Sequence, residues 1–397
     1  MGERRYGERL KEGGSGDPPA RREESSYREM AMDILIAPTR FLPNAGSQAV
    51  ADALERGIRQ CQDTSGLIIR PIPEGGRGTV DIVVRALTGR IRRSNTVNAV
   101  GNVVDSRWAY LPDGSVMIDA GETLGSIDPG DVTQGSSWGL GPVIMDVLRF
   151  HPRQIIITLG DVMVHDGGMG LLEYFGLRFV DEQGIDVARG LRGLERVHHI
   201  ASCDFRIPPV PIVALYPRAL NLTGKDGVTY LDGGLKGFPS YQLPVIDRQM
   251  QQYARILEDF FAIPLLQQAG AGEGGGLGLA LMGMGAQARP AANFLMDFLQ
   301  LDRDFQQARW VLTAQRSLDK TQGASVVATL ARRLSPFSIP LVAIIERLGD
   351  HYMQFYNNSL KNIYPLLDKP RSAREVQRMR IHLLEQAAYR VAMSMQG

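Results

Sequence analysis

The sequence predicts an α/β protein of two or three domains whose two chain ends share one parallel sheet. Three observations carry this. Short apolar runs recur near both ends, at Asp33–Ala37, Leu67–Ile72, Trp310–Thr313 and Ile339–Ile345, and strands buried on both faces read this way. Loop signals and helical periodicity alternate with the first of these runs, as β-α-β-α units require. The length of 397 residues exceeds the roughly 100–200 of one domain.

The elements follow in order. Residues 1–31 are rich in Arg, Glu, Gly, Ser and Pro and nearly free of aliphatic side chains. Such a stretch cannot bury enough surface to offset its chain entropy, so a disordered tail is expected. Asp33–Ala37 is a buried strand, closed by Pro38, Pro43, Asn44 and Gly46. A helix over Ser47–Cys61 places Val50, Ala53, Leu54, Gly57 and Ile58 on one face. Strand Leu67–Ile72 runs into the glycine loop Glu74–Thr79, which opens a helix over Val80–Leu87. In the middle, Pro112-Asp113-Gly114 joins Arg107–Tyr110 and Val116–Ala120 as a hairpin. Gln154–Leu159 and Val210–Leu215 are further buried strands, and Val245–Phe261 is an amphipathic helix. The last helix, Arg371–Met395, starts with a capping box of Ser372 and Glu375.

Composition excludes several classes. The chain has 44 basic and 43 acidic residues, a net +1, where a dedicated nucleic-acid binder carries a basic excess. Its two cysteines, Cys61 and Cys203, exclude a disulfide framework and a thiolate-built zinc site. No apolar run reaches the ~18 residues of a membrane span, and the basic N-terminus lacks a signal-type apolar core, so a cytoplasmic protein is expected.

Three glycine-rich loops are the candidate site. They are Glu74–Thr79, Gly160–Gly170 and Gly270–Gly278. The first two follow an apolar strand and precede a helix, which puts backbone N–H groups and a helix start at the carboxyl edge of a sheet, where anions bind. The candidate substrate- or nucleotide-binding residues are Glu74, Gly75, Gly76, Arg77, Gly160, Gly167, Gly168, Gly272, Gly274 and Gly275. Glycines in such turns also serve positive φ and close packing. The third loop matches G-x-G-x-x-G, but a helix end precedes it, which argues against a dinucleotide fold. P-loop and HExxH patterns are absent from the sequence, and His198-His199 reads as a solvated pair.

The order of these loops resembles the type I glycerate kinase family, from Met32 to Gly397. Ile36-Ala37-Pro38 and Phe41 match the family's start. Glu74–Thr79 stands where the family has Ala-Asp-Gly-Gly-Glu-Gly-Thr. Ser136-Ser137-Trp138-Gly139-Leu140-Gly141, Asp166-Gly167-Gly168-Met169-Gly170, Lys236-Gly237 and the third loop match further family segments. The resemblance implies a Rossmann-like domain from residues 32–88 and 292–397, a mixed α/β domain from 89–291 inserted between, and a site in the cleft between them. It also implies phosphorylation of glycerate to phosphoglycerate, with ATP and Mg²⁺ as cofactors, a small hydroxy acid as partner, and neither nucleic acid nor membrane.

Departures from the family pattern temper this. The early Asp-Ser-Phe-Lys is Thr39-Arg40-Phe41-Leu42 here, Asp and Glu of the first loop are Glu74 and Arg77, and Gly-Ser of the second loop is Asp161-Val162. Thr-Asn before the retained Asp166 is Val164-His165, and Thr-Gly-Glu-Gly-Arg-Ile-Asp is Thr313-Ala314-Gln315-Arg316-Ser317-Leu318-Asp319. In the kinase reading Asp166 is a Mg²⁺ ligand or orients substrate, Lys236 and Arg316 neutralise phosphate charge, and Asp319 positions the acceptor hydroxyl. The alternative is a catalytically degenerate member that binds a small anion, nucleotide or protein partner, with phosphorylation weak or absent.

Overall fold

The computed structural model describes residues 32–41, 45–61, 66–125, 132–202, 204–319 and 323–395. The expected tail, Leu42 and Cys203 lie outside these residues. In chain order the strands are β1 (Met32–Ile36), β2 (Leu67–Ile69), β3 (Arg90–Val97), β4 (Val103–Tyr110), β5 (Ser115–Asp119), β6 (Gln154–Thr158), β7 (Leu177–Val180), β8 (His199–Ser202), β9 (Ile212–Tyr216), β10 (Gln287–Pro290), β11 (Ala308–Leu318), β12 (Leu341–Leu348) and β13 (Leu360–Pro365).

Both chain ends meet in a parallel sheet of order β13-β12-β11-β1-β2. Strand β1 alternates between two cores because it is covered on both faces. Leu35 packs with Val327, Leu330 and Ala331 of helix Val326–Leu334. Ile34 and Ile36 pack with Leu54 and Ile58 of helix Ser47–Arg59 and with Leu384 and Ala388 of helix Ala373–Ser394. These last two helices approach so closely that a Cβ on Gly57 would lie 2.2 Å from the Glu385 carbonyl oxygen. The final helix begins with the expected capping box, Ser372 and Glu375 exchanging bonds across the first turn.

The second sheet has the order β10-β9-β6-β5-β4-β3 and is mixed. β5, β6, β9 and β10 run parallel; β3 and β4 extend the sheet as antiparallel strands. One face carries the largest core, with Trp108, Ile118, Ile157 and Tyr253. The other is covered by Val80 and Val83 of helix Thr79–Leu87 and by Ala291 and Leu295 of helix Ala291–Phe298. β7 and β8 form a separate antiparallel pair.

Three differences from the sequence reading have physical causes. β2 stops at Ile69, short of the expected Ile72, because Pro71 has no N–H for the ladder; Arg70 and Ile72 still donate to Ile36 and Pro38. β11 extends through Gln315 and Arg316 because β12 pairs with it that far. β3 escaped notice because its Arg-rich sequence is that of an exposed edge strand, whose charges guard the edge.

Candidate active site

The three glycine loops are packed on one another: the first follows β2, the second follows β6, and the third lies against Tyr216 at the end of β9. The Gly160 N–H donates to the Gly75 carbonyl at 2.8 Å, joining the first and second loops. The Gly167 N–H donates to the Gly275 carbonyl at 3.0 Å, joining the second and third. Gly275 has φ +67°, and a Cβ there would sit 2.0 Å from the Val164 carbonyl oxygen and 2.8 Å from Lys236 Nζ. Only glycine lets this backbone pass behind the lysine. Gly76, Gly168 and Gly272 are also contact glycines, packed against Asp161, Ala280 and Asn221, and Gly274 has positive φ. Most of the conspicuous glycines therefore build the seam between loops, and the residues beside them face the cavity.

That cavity is a cleft of about 340 Å³ between the two sheets. Arg40 enters it from the loop after β1, Glu74 from the first glycine loop, and Gly160 and Asp161 from the loop after β6. Arg218 follows β9, and Arg316 lies near the end of β11. Ser325 and Val326 bring the positive end of helix Val326–Leu334 to the same cleft.

Two arginine-centred clusters organise the charge. Arg40 Nε donates to Glu74 Oε2 at 3.2 Å, and its Nη1 pairs with Asp161 Oδ2 at 2.5 Å and donates to the Arg77 carbonyl at 2.6 Å. Arg218 grips both oxygens of Asp232 at 2.8 Å, and its Nε reaches Glu273 Oε1 at 3.3 Å. Beside the second cluster Lys236, 3% exposed, donates to the Val164 carbonyl at 2.7 Å and lies 3.4 Å from His165 Nδ1. His165 Nε2 in turn meets Thr229 Oγ1 at 3.0 Å. Burial lowers the Lys236 ammonium to about 8, against the pull of Asp232.

The expected residues separate into two groups. Glu74, Gly160, Lys236 and Arg316 line the cleft. Asp166 does not: its fully buried carboxylate accepts from Ser137 N and Oγ, Gly168 N and Gly170 N. It fastens the second loop to the Ser136–Gly139 turn. Arg77 turns away too, its Nε donating to the Gly121 carbonyl at 3.0 Å and its N–H to Asp161 Oδ2 at 2.8 Å. Asp319 lies beyond the cleft lining, beside Gly349. His198 and His199 form an exposed pair, as expected.

Arg40, Asp161, Arg218, Asp232 and Glu273 are the cleft residues that motif reasoning missed. Arg40 and Asp161 were visible as family departures, but as losses; nothing in the linear sequence shows that they meet. Arg218 follows directly on Tyr216-Pro217, and its two acids come from distant segments.

One buried acid stands apart. Asp119 is fully buried at the end of β5; its Oδ1 accepts from Gly121 N at 3.1 Å, but its Oδ2 has no hydrogen-bond partner among the described residues. Burial pushes its carboxyl up to about 7, and Asp161 adds to this. A carboxyl raised above its unfolded value favours the fold at low pH, and that contribution fades as pH rises from about 4 through 7. Asp119→Asn keeps the Oδ1 cap and removes the ionisation. It is expected to stabilise the protein by about 1–3 kcal/mol at pH 8 and to flatten stability between pH 5 and 8. Chemical denaturation at a series of pH values checks this.

Fold and site together define a class: an α/β protein with two large sheets whose loops frame a cleft lined by charged residues. The chain belongs to the glycerate kinase family, whose model matches residues 34–396. It is 25% identical to a glycerate kinase of Halalkalibacterium halodurans over 369 residues, 90% of this chain and 97% of that one. It is 23% identical to glycerate 2-kinase of Escherichia coli K12 over 345 residues, 85% and 91% of the two chains. A crystal structure of a candidate glycerate kinase 2 from Salmonella typhimurium LT2 superposes with TM-score 0.69 at 27% identity, covering 92% of this chain and 98% of that one. Among the described residues no helix is long and apolar enough to cross a membrane.

Proposed function

We propose that this chain is an ATP-dependent kinase that phosphorylates glycerate, or a small hydroxy acid close to it, in the cleft between the two sheets. The observation that carries the reading is Lys236, a buried cation held on the wall of a 340 Å³ cleft by Val164 and His165. Phosphoryl transfer asks little covalent chemistry of the protein; it needs cations on the moving phosphoryl group and a held hydroxyl. In the reaction the substrate hydroxyl oxygen attacks the γ-phosphorus, the bond to the ADP oxygen breaks, and the hydroxyl proton leaves to solvent or a carboxylate. Among the described residues Lys236 and Arg316 supply positive charge that is not already locked in a short carboxylate pair: the acid paired with Arg316 is Glu346, at 3.9 Å. The start of helix Val326–Leu334 adds to the same potential.

Mg²⁺ fits this cleft only as a companion of the nucleotide, where it neutralises phosphate oxygens. Among the described residues no group of three or more His, Cys, Asp or Glu is arranged to hold a metal. Asp166, the expected ligand, has its oxygens committed to four internal donors. A binding-only protein is the weaker reading, because the departing residues Arg40, Arg77 and Asp161 bond to one another and to Glu74. A decayed site would scatter unpaired charges.

Calorimetric titration tests the ligand half of the proposal. The folded protein should bind a non-hydrolysable ATP analogue and racemic glycerate, and Arg316→Ala should weaken the analogue by roughly tenfold. Absence of binding by both ligands at millimolar concentration would remove the proposal.

A further inference from the structure

Every carboxylate pair on the cleft is already bridged by a guanidinium. Arg218 bridges Asp232 and Glu273. Arg40 bridges Glu74 and Asp161. The second bridge is the informative one, because Arg40, Asp161 and Arg77 all stand where the resembled family pattern has other residues, and they occupy one hydrogen-bonded unit. Asp161 Oδ2 takes both Arg40 Nη1 and the Arg77 N–H, and the Arg77 carbonyl accepts from Arg40 Nη1. Glu74 Oε2 accepts from Arg40 Nε and, at 3.4 Å, from the Arg40 backbone. Fully buried Asp119 leaves Oδ2 without a partner among the described residues and is close enough to feel the charges of Asp161 and Arg40. Without Arg40, Glu74 and Asp161 would face this corner with no cation bonded to either, and carboxylate oxygens are the ligands a hard divalent cation takes.

We propose that Arg40 is a resident cation: its guanidinium fills the place between Glu74 and Asp161 that a divalent metal would otherwise take, so the protein itself holds no metal there. The fork geometry of arginine suits it to bind two carboxylates at once, and unlike a metal it cannot dissociate. Its consequence for the reaction rests on the kinase reading. Mg²⁺ is then required only in proportion to nucleotide, whereas a variant without Arg40 would need free Mg²⁺ in excess.

The decisive experiment uses nucleotide-free full-length protein and Mn²⁺, followed by electron paramagnetic resonance, so it does not depend on turnover or on the substrate. Arg40→Ser should gain one Mn²⁺ site at least roughly tenfold tighter than any in the wild type, and adding Glu74→Gln should abolish the gain. A folded Arg40→Ser protein with less than this gain, or a wild type that already loses a Mn²⁺ site on Glu74→Gln, overturns the proposal. Should Arg40→Ser fail to fold, the reverse change decides. Glu74→Gln with Asp161→Asn frees the guanidinium and should tighten inorganic phosphate binding by roughly tenfold; unchanged phosphate affinity overturns it. Failure of the kinase reading would instead appear as normal Mn²⁺ results with no phosphoglycerate formed.

Discussion

Lys236→Met is expected to lower kcat/KM for phosphoryl transfer by about 10²–10³-fold while the fold persists. Methionine approximates the apolar stem of lysine and removes the ammonium, with its charge and its hydrogen bond to Val164. The ammonium is held by Val164 and His165 at the cleft wall, and Gly275 leaves the space behind it. Loss of the hydrogen bond to Val164 is offset by relief from burying a cation, so thermal stability should change by only a few degrees. The pH profile separates electrostatics from packing. Burial sets the Lys236 ammonium at about 8, and the protonated form is the one that attracts phosphate. Wild-type kcat/KM should therefore fall as pH rises through about 8, and the residual activity of the variant should lack that limb. Equal pH profiles in the two proteins would show that Lys236 acts only structurally.

The largest stability effect is expected at Asp166. Its carboxylate accepts from three backbone N–H groups and the Ser137 hydroxyl, with no exposure to water. Asp166→Ala strands those donors in the core and should cost about 3–5 kcal/mol, a fall of melting temperature on the order of 10 °C. Asp166→Asn retains an acceptor and should lose less. Thermal melts of both variants beside the wild type check this. Near-wild-type stability in Asp166→Ala would mean that the loop does not depend on this anchor.

Much of the fold was legible because burial on two faces leaves an unmistakable run: Asp33–Ala37 and Trp310–Thr313 lie on the strands β1 and β11, which pair in parallel through Ile34 and Trp310. The capping box at Ser372 is a local signal and needed no tertiary context. Charged edge strands such as β3 carry no such run, and short pairs such as β7 and β8 are set by their surroundings. The site was legible as loops and less so as residues. Glycines mark where backbones touch, which is why Gly168 and Gly272 proved to be packing positions. Asp166 stood out as a retained acid, yet a buried acid at the head of a glycine turn is as well explained by the N–H groups it collects. The cleft charges at Arg40, Asp161, Arg218 and Glu273 could not be read linearly, because each gains its meaning from a partner at least 34 residues away.

The most direct measurement is product formation by the wild-type protein from ATP and racemic glycerate, followed by ³¹P NMR beside coupled ADP release. The account predicts a phosphoglycerate resonance growing at roughly 1–100 turnovers per second per chain, and its loss in Lys236→Met. Folded wild-type protein that binds the nucleotide analogue and glycerate yet forms no phosphoglycerate, or a Lys236→Met variant that forms it at the wild-type rate, would contradict the account.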